Sequence, residues 1–155
     1  MQDKIEIMAP CGSWESLTAA LQGGADAVYF GVGRLNMRSR SAANFTADDL
    51  EAICRTCREA GVRTYLTVNT IIYNSEIDEM HALLHAAKEA GVTAIIASDM
   101  AVIGYARQIG IEVHISTQCN ISNIEAVRFY AQFADVMVTA RELPLSQVKE
   151  ITDFI

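Results

Sequence analysis

The chain has 155 residues, of which 51% are apolar and 20% charged, with a formal net charge of −7, which is enough apolar material for one buried core. No apolar run approaches the ~18 residues that a bilayer span needs, and residues 1–3 lead straight into an apolar run without the basic and hydrophobic regions of a signal peptide, so no membrane is expected and the cytoplasm is the expected compartment. The acidic balance argues against a broad nucleic-acid surface, because that binding rests on many Lys and Arg contacts to phosphate.

Short apolar runs alternate along the chain with amphipathic segments, the pattern of a parallel sheet covered by helices. The first run, Ile5 to Ala9, precedes a helix that Ser13 can cap. The second, Ala27 to Val32, leads through a long loop to a helix opened by a capping box of Thr46 with Asp49. Thr64 to Val68 is followed by a helix for which Ser75 with Asp78 forms the same device, and Ala94 to Ala97 by a fourth helix. After Val113 to Ser116, Asn123 can cap the fifth helix, and after Val136 to Thr139, Pro144 suits the first turn of the sixth. Gly24, Gly61, Gly91 and Gly110 each stand between a helix and the next strand, where a left-handed residue is wanted.

Six successive βα units without a linker predict one α/β domain over residues 1–155. Such a series suits an open doubly wound sheet or most of a (β/α)8 barrel. The first strand runs into "APCGSWES", which lacks the G-x-G-x-x-G of a dinucleotide site. The reading therefore favours an incomplete (β/α)8 TIM-type barrel with six βα units.

In either architecture ligands lie at the carboxyl ends of the strands. That face collects Pro10, Cys11 and Gly12, then Asn69 and Thr70, Ser98 and Asp99, Thr117 to Asn120, and Arg141 with Glu142. Turn and cap duties account for individual Asn, Asp, Ser and Thr residues at such positions. "HISTQCNISN" nevertheless holds more polar groups than a cap requires. The loop after the second strand, "GVGRLNMRSRSAANF", places Arg34, Arg38 and Arg40 within seven residues. Connections of this kind usually take about 2–6 residues, and longer ones are often functional. Arginine's planar fork suits carboxylate or phosphate, so the ligand site is expected to comprise Arg34, Arg38, Arg40, Asn69, Asp99, Gln118, Asn120 and Arg141, binding an anionic small molecule, a peptide or RNA.

The remaining chemistry-bearing residues read as structural. The four cysteines are too few and too scattered for a disulfide framework. Leu50, Cys54 and Cys57 follow the i, i+4, i+7 stripe of a buried helix face, whereas Cys11 and Cys119 lie at strand ends and are the more exposed pair. No second cysteine pair completes a zinc site. His81 and His85 are expected to be surface residues of an outer helix and His114 a packed strand residue; no metal site is expected.

The stretches "MAPCGSWESLTAALQGGADAVYFG", "NMRSRSAANFT", "YLTVNT", "AIIASDMAVI", "HISTQCNISN" and "ARELPLSQVKEI" resemble, in order and over nearly the whole chain, the collagenase-like proteins called peptidase family U32. The resemblance implies a (β/α)8 barrel of which this chain is the N-terminal part. It also implies either a metal-dependent protease acting on collagen or a component of a hydroxylation system for a tRNA uridine, a ribosomal RNA cytidine or a ubiquinone precursor. In the hydroxylases the cysteines of an iron–sulfur cluster lie beyond the sixth unit, so no cofactor is expected on this chain, while the longer protein would carry an iron–sulfur cluster or a divalent metal. A chain of six units would leave sheet edges open and is expected to self-associate. The alternative outside enzyme chemistry is a non-catalytic binding module.

Overall fold

The computed structural model describes residues 5–37, 39 and 45–155. Six parallel strands, β1 (Met8–Pro10), β2 (Ala27–Phe30), β3 (Arg63–Val68), β4 (Ala94–Ala97), β5 (Glu112–Ile115) and β6 (Val136–Met137), form one sheet in chain order. Each is followed by a helix: α1 (Trp14–Gln22), α2 (Leu50–Glu59), α3 (Ile77–Ala90), α4 (Met100–Gln108), α5 (Ile124–Tyr130) and α6 (Leu145–Phe154). A doubly wound sheet reverses its strand order at a switch point. Here the order never reverses, and the architecture is an incomplete (β/α) barrel.

Side chains alternate between two faces of the sheet, as the period of a strand requires. Towards the helices, Val28 and Phe30, Leu66 and Val68, Ile95 and Ala97, and Val113 and Ile115 join the principal core with Leu50, Ile53, Cys54 and Cys57 of α2 and Met80 and Leu84 of α3. On the concave side Ala27, Tyr65, Ala94 and Ile96 form a second, smaller cluster. That inner side also holds polar groups. Tyr65 donates its hydroxyl to Glu6 (2.8 Å), Arg63 pairs with the same carboxylate, and the buried His114 sets Nε2 2.7 Å from Glu112 with its ring edge-on to Tyr65 at 4.6 Å.

Helix ends follow the sequence except at α3 and α6; Pro144, expected in the first turn of the sixth helix, is instead the extended residue before it (ψ 155°). Ser13 accepts from the Ser16 backbone N–H, Thr46 and Asp49 satisfy one another, and Asn123 accepts from Ala126 N–H (2.9 Å). The expected box of Ser75 with Asp78 does not form. A single 3₁₀ turn over Asn74–Glu76 precedes α3, and Glu76 reaches back to the Tyr73 N–H (3.0 Å), so Tyr73 takes the place assigned to Ser75. The first strand also starts later than Ile5, because only Ile7 and the residues after it bond to the second strand and its approach.

Among the described residues the outermost strands, β1 and β6, each pair on one side only, and Ile7, Met8 and Val136 beside these edges are exposed. Unpaired edges with apolar flanks template association. We expect the 155-residue polypeptide by itself to elute as a concentration-dependent dimer or larger species in size-exclusion chromatography with light scattering. A monomer at every dilution would contradict this.

Candidate functional site

Parallel strands direct all their carboxyl ends to one side, so the site is built from the loops that leave β1 to β6. The loop after β2 is the most elaborate. Val32 and Phe45, with twelve residues between them, meet in an isolated parallel bridge, and Gly33 N–H donates to Phe45 O (3.1 Å); the long connection is closed at its base. Inside the closure Asn36 is fully buried and donates Nδ2 to Val32 O (3.1 Å) and Gly33 O (3.2 Å). Its carboxamide lies so close to Gly31 that a Cβ there would stand 2.3 Å from Asn36 Oδ1, which is why that position carries no side chain.

Arg34 leaves this loop towards α3 instead of the strand ends. Its Nε donates to both oxygens of Glu79 (3.1 and 3.0 Å), Nη2 pairs with Glu79 and Nη1 with Glu76 (2.7 Å). The Glu79 hydrogen bond and charge, then Glu76, hold the guanidinium more firmly protonated than usual. Arg38 and Arg40 lie outside the described residues.

The ends of β3, β4 and β5 are joined by neutral groups. Asn69 accepts the Met37 N–H on Oδ1 (3.1 Å) and, through its backbone carbonyl, the Ser98 hydroxyl (3.1 Å). The same hydroxyl stands 3.3 Å from Gln118 Oε1. Cys119 Sγ faces Ser98 O at 3.7 Å, and the Tyr130 phenol is pushed up, first by its hydrogen bond with Cys119 and then by burial. Asp99 serves the frame: Oδ1 caps α4 through Ala101 N–H (2.8 Å), and Oδ2 takes the Ile72 N–H (3.1 Å) of the preceding loop. Asn120 has a left-handed backbone, φ 48°, and ends the short turn over Thr117–Cys119 by donating its N–H to Thr117 O (3.0 Å). Arg141 is exposed in the turn after β6, which Ala140 ties to the β5 loop through Ile121 O (2.8 Å).

The structure therefore brings Asn69 and Gln118 together through Ser98, sets Asp99 behind them as a strut, and places Asn120 and Arg141 on the same side of the sheet. It takes Arg34 away to α3. Sequence reasoning missed Asn36 and the linking role of Ser98. The signal for the first was a small polar residue four positions after the strand-end pair Gly31 and Val32, where a buried amide can satisfy carbonyls that a strand would otherwise bond.

Cys11, expected among the exposed cysteines, is buried. It sits in the principal core with Leu17, since a thiol at the foot of α1 packs as a small apolar group. Cys54 and Cys57 are also buried; desolvation, then the neighbouring Cys54 and Cys11, push the Cys57 thiol up to about 12. These residues do not fit an iron–sulfur cluster, which needs accessible thiolates from several cysteines. Among the described residues no group of three His, Cys, Asp or Glu side chains could hold a metal ion. His81 stacks on Tyr105 at 3.7 Å, and His85 bonds the Tyr105 hydroxyl (2.7 Å). A disulfide-forming thiol reagent at pH 8 is expected to modify Cys119 in the folded chain and to reach Cys11, Cys54 and Cys57 only on unfolding. Rapid labelling of Cys57 by mass spectrometry would contradict the assignment.

Among the described residues no helix is long and apolar enough to cross a membrane. The model of Peptidase family U32 matches residues 12–155. A collagenase of Porphyromonas gingivalis is 59% identical over 97% of this chain and 36% of its own length. The tRNA hydroxylation protein P1 of Bacillus subtilis is 34% identical over 97% of this chain and 36% of its own length, and the 23S rRNA 5-hydroxycytidine C2501 synthase of Escherichia coli is 30% identical over 96% and 22%. The chain thus spans little more than a third of the first two relatives. A solved U32 peptidase superposes on 100% of this chain and 67% of its own with a TM-score of 0.81 at 13% identity, and the deoxyribose phosphate aldolase of Aeropyrum pernix on 97% and 68% with 0.65 at 15%; these likenesses speak for the fold. The sheet order, the strand-end loops and a family match over residues 12–155 lead to one assignment: this chain belongs to peptidase family U32.

Proposed function

We propose that this chain is the N-terminal barrel section of a collagenase-like U32 protein and that its strand-end face binds a peptide substrate. The observation that carries the reading is the run of amide and hydroxyl groups from Asn69 through Ser98 to Gln118 across three adjacent strands. Asn and Gln side chains present both a donor and an acceptor, the same pair that each peptide unit offers. The 59% identity to the P. gingivalis collagenase supports a peptide. So does the net charge of −7, which supplies no broad basic surface for RNA. Arg141, together with Arg38 and Arg40 from the β2 loop, provides the positive charge for a carboxylate of the ligand. Asn120 adds a further amide, and Asp99 holds the frame. The catalytic groups, and any metal or iron–sulfur cluster, come from other parts of the complete protein.

The test is made on the intact protein with a fluorescent gelatin-derived peptide. Replacing Arg38, Arg40 and Arg141 by Ala together is expected to weaken binding by about tenfold and to flatten its salt dependence, since each charged contact contributes roughly 0.2–1 kcal/mol at an exposed site and three of them about 1.5 kcal/mol. Unlabelled tRNA should not displace the peptide. Displacement by tRNA, with no gelatin cleavage by the wild type, would instead favour the reading suggested by the tRNA hydroxylation relative.

A further inference from the structure

The inner side of the sheet carries ionisable groups that the strand-end site does not use. Glu6, Arg63, Tyr65, Glu112 and His114 meet there in one chain of contacts. Ala27 is the register partner of Arg63, and Ala94 that of both Tyr65 and Glu112, so small residues on the neighbouring strands leave room for the long side chains. Their charges do not cancel. Glu6 is matched, since one oxygen accepts the Tyr65 hydroxyl (2.8 Å) and the other pairs with Arg63. Glu112 has no Lys or Arg partner among the described residues; its one hydrogen bond joins Oε1 to His114 Nε2 at 2.7 Å. Its charge reaches Tyr65: burial pushes that phenol up, Arg63 opposes the rise and Glu112 adds to it.

His114 itself points to a ligand. Its side chain is only 8% exposed, Nε2 is committed to Glu112, and the ring makes no second hydrogen bond among the described residues. No fully buried side-chain nitrogen or oxygen among these residues lacks a partner, so Nδ1 must be accessible, on the inner side where the ring stands edge-on to Tyr65. With the Nε2–H given to a carboxylate, Nδ1 holds the lone pair. A carboxylate behind a histidine fixes the tautomer and makes the far nitrogen a stronger acceptor, as it does for histidines that hold metal ions.

The partner that suits this nitrogen follows from charge and geometry. A metal ion needs further ligands, and among the described residues no three His, Cys, Asp or Glu side chains are grouped to hold one. An anion would meet Glu112 as a like charge. A neutral hydroxyl would satisfy Nδ1 but leave Glu112 without a counter-charge. A guanidinium presents a planar fork that wants two parallel acceptors, whereas an ammonium is a compact charge that one acceptor can hold.

We propose that the inner side of the sheet holds a second site, in which His114 Nδ1 accepts an N–H of a protonated amine and Glu112, behind the ring, supplies the counter-charge. The amine is either a free small molecule or a lysine side chain from elsewhere in the intact protein. The site is separate from the strand-end face and does not rest on the peptide reading.

The test follows the ring nitrogens of His114 by NMR in the intact protein labelled with nitrogen-15 histidine, the signal being assigned by its loss in His114→Gln. Butylammonium is the probe and 1-butanol its uncharged counterpart. If the amine is free, the Nδ1 signal should move saturably with butylammonium and not with 1-butanol. Glu112→Gln keeps an oxygen for the Nε2–H but removes the charge, and is expected to weaken butylammonium about tenfold, because a charge-assisted contact becomes a neutral one. If the amine is a lysine of the same protein, the signal should ignore butylammonium and the His114 ring should show a nuclear Overhauser contact to the Cε protons of that lysine. Neither a response nor a lysine contact would overturn the proposal. So would an equal response to 1-butanol, butylammonium binding unchanged in Glu112→Gln, or a ring that carries protons on both nitrogens near neutral pH, since Nδ1 would then be a donor.

Discussion

Replacing Gly31 by Ala is expected to destabilise the fold by about 2–4 kcal/mol, read as a lower urea midpoint at unchanged slope. The new Cβ would meet Asn36 Oδ1 at 2.3 Å, Cγ at 2.4 Å and Nδ2 at 2.7 Å, all far inside contact distance. Asn36 is a short side chain in a closed space, fully buried and bonded to Val32 O and Gly33 O. To admit the methyl group it must leave these carbonyls, so the cost combines overpacking with stranded buried polar groups. The two residues are therefore coupled. Asn36→Ala alone removes the same bonds, but in the Gly31→Ala background it also removes the clash. The double variant should be less destabilised than the sum of the singles by about 1–2 kcal/mol. Strict additivity would mean that the two side chains do not share one space.

A larger loss, about 3–5 kcal/mol, is expected for Phe30→Ala. Among the described residues Phe30 is the largest fully buried side chain, and it meets Phe45 edge-to-face at 6.0 Å. Phe45 in turn meets Trp14 at 5.6 Å. This aromatic ladder runs from β2 through the closing residue of the β2 loop to the first turn of α1. Truncating its innermost member leaves a cavity and removes an aromatic contact worth about 0.5–1.5 kcal/mol beyond area burial. Against a typical total of about 5–15 kcal/mol, the variant stands near the limit of folding. The closure between Val32 and Phe45 should loosen with it, seen as faster amide exchange at Gly33. A loss below 1 kcal/mol would show that the ladder does not hold the loop.

The architecture was legible because its signals are local. Ala94 to Ala97 reads as a buried apolar run and is the strand with those limits. Gly24, Gly61, Gly91 and Gly110 mark helix-to-strand turns and all have positive φ. Apart from the family resemblance, the barrel itself was open to sequence reading by no more than the absence of a glycine fingerprint, since strand order is a property of pairing between distant residues. The failures also have a common cause. Arg34 reads as part of a basic loop, but its partners Glu76 and Glu79 lie more than forty residues on, and nothing in the loop announces them. Ser75 looks like a cap, yet the turn begins two residues earlier because Glu76 finds the Tyr73 N–H. Cys11 at a strand end reads as exposed, but it packs in the core with Leu17 of α1. The candidate site was legible as a list of strand-end residues, while the hydroxyl of Ser98 that joins Asn69 to Gln118 was not, because it depends on the register of β3, β4 and β5.

The central claim is that a peptide lies across the strand ends of this barrel section. Hydrogen–deuterium exchange of the intact protein, with and without a gelatin-derived peptide, tests it most directly. The account predicts slowed exchange in the loops around Asn69 to Tyr73, Ser98 to Met100 and Thr117 to Asn120, with no change at Gly24, Gly61, Gly91 and Gly110 on the opposite side of the sheet. Protection confined to the opposite side or to the outer helices, or protection of the strand-end loops by tRNA and not by the peptide, would contradict it.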